Sequence, residues 1–142
     1  MKFNVHIPFV KHLGFELVKF EGGEAEITYN ALPEHLNSFN VVHGGATMTL
    51  LDVAMAHAAR SVETAMGIVT IEMKTSFMQA SSGPLTAKAR LLHRSATLAF
   101  TEGTVFDAHG RACSHATGTF KYVKRLPTSA SGANALNTIS TD

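Results

Sequence analysis

Little in this chain points to secretion, a membrane or a nucleic acid. A single cysteine, Cys113, stands among 142 residues. No internal disulfide can form, and a reducing cytoplasm is the expected setting. No apolar run approaches the roughly eighteen residues that a membrane span needs. The opening Met1-Lys2-Phe3-Asn4-Val5-His6 is not followed by the apolar core and cleavage site of a signal peptide. An excess of one charge is missing too: 12 Lys and Arg face 11 Asp and Glu, a net charge of +1. That balance offers no broad field for nucleic acid or an anionic membrane, although a local basic cluster could still meet a phosphorylated small molecule. Eight histidines are present, yet no two stand at i and i+4 and none has Cys-His ligand spacing, so no metal site is expected. The Gly-x-Ser-x-Gly elbow, the Walker loop and the dinucleotide glycine motif are all missing.

What remains suits one globular domain. The chain is 45% hydrophobic and 16% charged, and a second domain would need about 100 residues of its own. Residues 127–142 are small and polar, without aromatics or amphipathic period, and read as a disordered tail. That leaves 1–126 as the folded domain. Residues 6–13 read as a short helix with Pro8 near its first turn. Gly14–Phe20 and Glu24–Asn30 read as strands joined by Glu21-Gly22-Gly23. An irregular segment holding Pro33 runs to Val42.

The run from Gly44 to about Glu63 has no proline and carries apolar residues all round the helical wheel, among them Met48, Leu50, Leu51, Val53, Met55 and Ala58. A helix apolar on every side is a buried one. Four long strands then follow, 68–78, 85–93, 96–107 and 111–123, separated by Ser81-Ser82-Gly83-Pro84, Arg94-Ser95 and Ala108-His109-Gly110. Consecutive hairpins and an antiparallel sheet are expected. Two strands, one buried helix and four strands make an α+β fold in which a sheet curls round one helix.

Three features could carry chemistry. Asp52 lies in the middle of the apolar helix, between Met48, Thr49, Met55 and Ala56, with no cation within a turn on its own face. Such a carboxylate finds a partner elsewhere, reaches solvent, or has its pKa raised by desolvation. His43-Gly44-Gly45 stands where the helix begins. Free N–H groups there favour negative charge and can act as an oxyanion hole, while the same glycines also suit a plain entry turn. Asn37, Asn40 and Thr70 are polar residues near these elements, each also explicable as a turn former or a strand residue. Cys113 reads as a sheet cysteine without a nearby base. Met48, Met55, Met66, Met73 and Met78 read as fillers of core, interface or pocket space.

Together the run from Asn37 through His43-Gly44-Gly45 to Asp52 resembles the hotdog-fold acyl-CoA thioesterases of the phenylacetate-pathway and hydroxybenzoyl-CoA thioesterase type. In that pattern an Asn or Gln precedes His-Gly-Gly, and an acid stands nine residues after the histidine. The likeness extends through Thr70-Ile-Glu-Met-Lys-Thr-Ser-Phe-Met and Thr97-Leu-Ala-Phe-Thr, covering roughly Leu13 to Val123. It implies a hotdog fold and a homodimer, usually a dimer of dimers, with the acid on one subunit and the His-Gly-Gly loop on the other. By position, Asp52 would be nucleophile or general base, and the Gly44 N–H would polarise a thioester carbonyl. Asn37 and His43 would orient carbonyl or water, and Thr70 would stand near the water. Gly45, Phe77 and the turn His93-Arg94-Ser95 would meet substrate or coenzyme A. No cofactor is implied, since coenzyme A arrives within the acyl-CoA substrate. Asn40 replaces a frequent glycine, and asparagine tolerates the left-handed backbone. Ala80 replaces a frequent proline. A non-catalytic acyl-CoA-binding protein and an enoyl hydratase or dehydratase are the alternatives that the fold leaves open.

Overall fold

Gly14 turns the chain out of its first helix and into the sheet. The computed structural model describes residues 1–125 and the two-residue strand 139–140. The tail expected over 127–142 lies outside the described residues apart from that strand. Helix α1, Pro8–Leu13, ends at Gly14, whose φ of 76° lets its N–H reach the carbonyls of Val10 and Lys11. Strands β1 (Glu16–Glu21) and β2 (Glu24–Tyr29) form a hairpin. Its two central residues, Gly22 and Gly23, have φ of 60° and 84°, the left-handed pair that a tight hairpin requires. A one-turn 3-10 helix, Pro33–His35, leads through an irregular loop to α2, Gly44–Arg60.

Strand β3 spans Met66–Phe77, β4 Leu85–Arg94, β5 Leu98–Phe106 and β6 Ala112–Arg125, while Ile139–Ser140, β7, pairs with the end of β6. The main path of the sheet runs β1-β2-β4-β5-β6-β3, antiparallel throughout. This corrects one expectation. Hairpins join β4 to β5 and β5 to β6, but β3 does not pair with β4. The segment through Ser81-Ser82-Gly83-Pro84 carries the chain from the far edge of the sheet back to the side of β2. Local turn chemistry marks where a strand stops, not which strand it will meet. The fold is the expected α+β hotdog, with α2 packed on β2, β3, β4, β5 and β6.

Close approach of α2 to the sheet has a visible cause. A Cβ at Gly103 of β5 would lie 3.3 Å from Met55, and one at Gly118 of β6 would lie 3.1 Å from it. Two strand glycines therefore make the groove that receives Met55. Leu50, Leu51, Met55, Phe120 and Tyr122 are fully buried around this contact, each apolar side chain contributing about 1.5–3 kcal/mol by leaving water.

Two further expectations about α2 change. It ends at Arg60, three residues short of Glu63. The Ser61 hydroxyl donates to the Ala58 carbonyl and accepts the Gly23 N–H, which holds the chain against the β1–β2 turn. The helix is also not covered on every side. Gly45 is exposed, and Met48, Thr49, Asp52 and Ala56 are only half-buried. These positions form a single stripe at helical spacing. Edge strand β3 is likewise open, with none of its 12 residues buried. Among the described residues, no helix is long and apolar enough to cross a membrane.

Candidate active site

The start of α2 is shaped by His43. Its backbone is extended (φ −60°, ψ 137°), and its Nδ1 accepts the Gly45 N–H at 2.8 Å. Its carbonyl accepts the N–H groups of Ala46 and Thr47 at 2.9 and 3.1 Å. His43 thus caps the helix through both side chain and backbone. The Gly44 N–H is left without a partner among the described residues, at the end of a helix dipole that favours negative charge. A Cβ on Gly44 would lie 3.4 Å from the Phe77 ring. Gly44, Phe77, Thr47 and Asn37 line one cavity of about 380 Å³.

Asn37 reaches this cavity from a loop that it organises itself. Its Oδ1 accepts the N–H groups of Phe39 at 2.9 Å and Val41 at 3.3 Å, and its own N–H donates to the Val41 carbonyl. The side-chain NH₂ of Asn37 has no partner among the described residues. Asn40 closes the same turn in the left-handed region, with φ 65°, as its residue type allows.

Asp52 belongs to the other half of the helix. The Thr70 hydroxyl donates to its Oδ1 at 2.7 Å. A β-bulge in β3 lies beside this contact: Thr70 pairs with Phe120 and Glu72 with Thr119, so Ile71 is the extra residue. Burial raises the Asp52 pKa above the usual carboxylate range, and the Thr70 hydrogen bond draws it part of the way back. Asp52 and Thr70 line a second cavity of about 360 Å³, together with His57, Arg60, Ile68 and the N-terminal residues Val5, His6 and Ile7. Gly44 and Asp52 are eight residues apart on one helix, about 12 Å along its axis. Within one chain they face different cavities.

The cavity beside Asp52 contains residues that sequence patterning does not mark. His57 is 3% exposed, with Nδ1 donating to the Val53 carbonyl at 2.8 Å. Arg60 is buried and donates to Asn4 Oδ1 and to the carbonyls of Thr64 and Met66. A histidine and an arginine inside an apolar helix are the only signal the sequence gives of them.

The remaining candidates lie elsewhere. His93 and Arg94 are the last residues of β4 rather than turn residues. His93 stacks on Phe100 with ring centroids 6.2 Å apart. The Arg94 guanidinium lies 4.4 Å over the Tyr122 ring and donates to Glu63 at 3.2 Å. The Ser95 hydroxyl accepts the N–H groups of Thr97 and Leu98 and so builds the β4–β5 turn. Among the described residues, no three His, Cys, Asp or Glu side chains gather as a metal site.

Residues 39–114, more than half of the chain, match the family model described as the thioesterase superfamily. The chain belongs to this superfamily. Gly44, Asp52, Thr70 and Phe77 all fall inside the matched span, and Asn37 lies just before it. This superfamily member is 30% identical to the Saccharolobus solfataricus protein named "Putative esterase SSO2140", over 81% of this chain and 82% of that one. Its fold is similar to the conserved protein PA5202 of Pseudomonas aeruginosa, with TM-score 0.79 and 27% identity over 82% of this chain and 94% of the other. It is also similar to the PaaI protein from the phenylacetic acid degradation operon of E. coli, with TM-score 0.75 and 22% identity over 80% and 83% of the two chains. In this thioesterase-superfamily hotdog, the Gly44 N–H, without a partner among the described residues, and the partly desolvated Asp52 carboxylate stand on one helix but apart.

Proposed function

We propose that this protein hydrolyses acyl-CoA thioesters in a site built by two copies of the chain. The observation that carries the reading is the placement of Asp52. It stands on the open stripe of α2, with one oxygen held by Thr70 and the other without a partner among the described residues. A second copy packed on that stripe would bring its own Gly44 N–H to the carboxylate that lies about 12 Å from the Gly44 of the same chain. The open edge of β3 provides a place for such pairing.

In this site the thioester oxygen lies on the Gly44 N–H, where charge develops as the carbonyl carbon becomes tetrahedral. The Asn37 NH₂ orients the carbonyl or the water. Asp52 Oδ2 either takes a proton from the attacking water or attacks the carbon itself, and in both cases Oδ1 stays on Thr70. The C–S bond breaks, the thiolate takes up a proton and free coenzyme A leaves; on the water route the acid forms directly, and on the nucleophilic route a water then hydrolyses the acyl-Asp52 anhydride, releasing the acid and restoring the carboxylate. Desolvation favours both routes by leaving Asp52 more basic and less solvated than a surface carboxylate. Phe77 and Gly45 border the approach to the carbonyl.

A panel of acyl-CoA thioesters with free thiol as readout tests the reading. Thiol release in proportion to protein concentration is expected, and Asp52→Ala should abolish most of it. Loss of enoyl-CoA absorbance without thiol would replace hydrolysis by hydration. Tight acyl-CoA binding with neither signal would make the protein a binding module.

A further inference from the structure

The first seven residues lie against α2 as a strap. Asn4 Oδ1 accepts an N–H from Arg60 at 3.0 Å, and the Phe3 ring meets His57 in edge contact at 4.9 Å. Phe3 and Ile7 pack against the hydrophobic core. Val5 lies between these anchors, is half-buried, and lines two cavities at once. One is the cavity of about 360 Å³ that holds Asp52 and Thr70. The other, of about 610 Å³, lies between the strap, α1 and the start of β1, with Val10, Phe15, Leu17 and Val18 on its wall. His6 and Ile7 also line both. Val5, His6 and Ile7 are thus a wall that the two cavities share.

We propose that Val5 is a specificity-determining residue: its side chain closes the Asp52 cavity against the larger one and so limits the length of the acyl group. This rests on the acyl-CoA reading above and names the substrate class of that site, apolar acyl groups of short to medium length. With the thioester carbon at Asp52, an alkyl chain has a mainly apolar wall to follow, from Val5, Ile7, Val53, Ala56 and Ile68. The amides and phosphates of coenzyme A would lose water there without gaining partners. The cavity borders α2 from Asp52 to Arg60. Those eight residues span about 12 Å, which an extended chain of roughly ten carbons fills. A longer chain meets the wall. Within the wall, His6 is exposed and Ile7 is tied into the core, so the half-buried Val5 side chain is the part whose size sets the limit.

The test runs saturated acyl-CoA thioesters from butanoyl to hexadecanoyl on the full chain, Val5→Ala and Val5→Phe. Wild-type kcat/KM should rise with chain length to about ten carbons and then fall by about tenfold or more toward hexadecanoyl-CoA. Val5→Ala should move that break to longer chains, and Val5→Phe should move it to shorter ones. If Val5 only packs the strap, both variants lower Tm and leave the break where it was, which overturns the proposal. A wild-type profile without a break overturns it too. A second measurement stands apart from turnover. A tetradecanoyl-CoA analogue, with CH₂ in place of the thioester sulfur and a photoreactive diazirine at the chain end, is irradiated with wild type and with Val5→Ala. Mass spectrometry then maps the labelled peptides. Label should reach Phe15–Val18 in Val5→Ala and not in wild type. Label there in wild type, or none there in Val5→Ala, overturns the proposal. If no thioester is hydrolysed but the label moves in this way, hydrolysis at Asp52 falls and the wall at Val5 stands. If thioesters are hydrolysed while profile and label ignore Val5, the wall falls and hydrolysis stands.

Discussion

A carboxylate that is costly to bury is kept at Asp52, and the cost can be measured. Its pKa is raised in the fold, so the native state holds its proton more tightly than the unfolded chain. The sign follows: Asp52 favours folding below the ordinary carboxylate pKa, and that contribution is lost as pH rises through the raised value. Asp52→Asn, which stays neutral throughout, should therefore raise Tm near pH 7, and the gain should shrink toward pH 4. The same variant should lose about 10²-fold or more in kcat. Thermal scans across pH with a thiol assay check both, and a variant that is less stable at pH 7 yet fully active would remove Asp52 from the site. Asp52 is legible in the sequence because a lone carboxylate breaks an apolar helix. Its partner is not. Thr70 looks like any strand threonine, and the link to Asp52 depends on tertiary placement beside the bulge at Ile71. His57 is hidden for a related reason, since a histidine's burial is a property of its surroundings.

Among elements, the start of α2 depends on one short-range contact. The His43 Nδ1 that accepts the Gly45 N–H would lie only 3.0 Å from a Cβ at Gly45. His43→Ala should cost about 1 kcal/mol as a lost cap. Gly45→Ala should cost a similar amount by pushing the imidazole away. The double variant should cost clearly less than the sum, because both changes break the same contact. Full additivity in denaturant unfolding would separate the two residues. At the other end of the sheet, Arg94 ties the end of β4 to Glu63 and Tyr122. Arg94→Ala should lower stability by about 1 kcal/mol. Its KM penalty should be equal for an acyl-CoA and an acyl-pantetheine, whereas a penalty confined to the full nucleotide would show that Arg94 turns from Glu63 to a phosphate. Strands and helix are legible from periodicity to within a few residues. The pairing of β3 with β6 is not, because turn residues record chain reversal and carry no trace of a distant partner such as Lys124 for Met66.

At the scale of the whole molecule, the proposed site needs a second copy. Among the described residues, Gly45, Met48, Thr49, Asp52 and Ala56 make a stripe on α2 that the sheet leaves uncovered, and β3 offers an unpaired edge. Sequence patterning reads Met48 and Ala56 of this stripe as core, because a helix face covered by a partner has the same apolar composition as one covered by a sheet. The two-copy site proposed above assigns this stripe to a partner. Complementation tests the arrangement directly. If Asp52 of one copy works with Gly44 and Asn37 of the other, a dimer of Asn37→Ala with Asp52→Ala has one intact site and one site bearing both changes. Random exchange makes half of the dimers mixed, so two nearly inactive variants combined in equal amounts should recover about a quarter of wild-type turnover. Each variant must first be shown to form the wild-type oligomer, and mass measurement of differently tagged subunits must show that exchange has occurred. Recovery should then follow the fraction of mixed dimers. If exchange is complete and activity stays at the level of the parents, both halves of the site belong to one chain. The roughly 12 Å between Gly44 and Asp52 would then have to be closed by a rearrangement of α2 that its buried contacts with Gly103 and Gly118 resist.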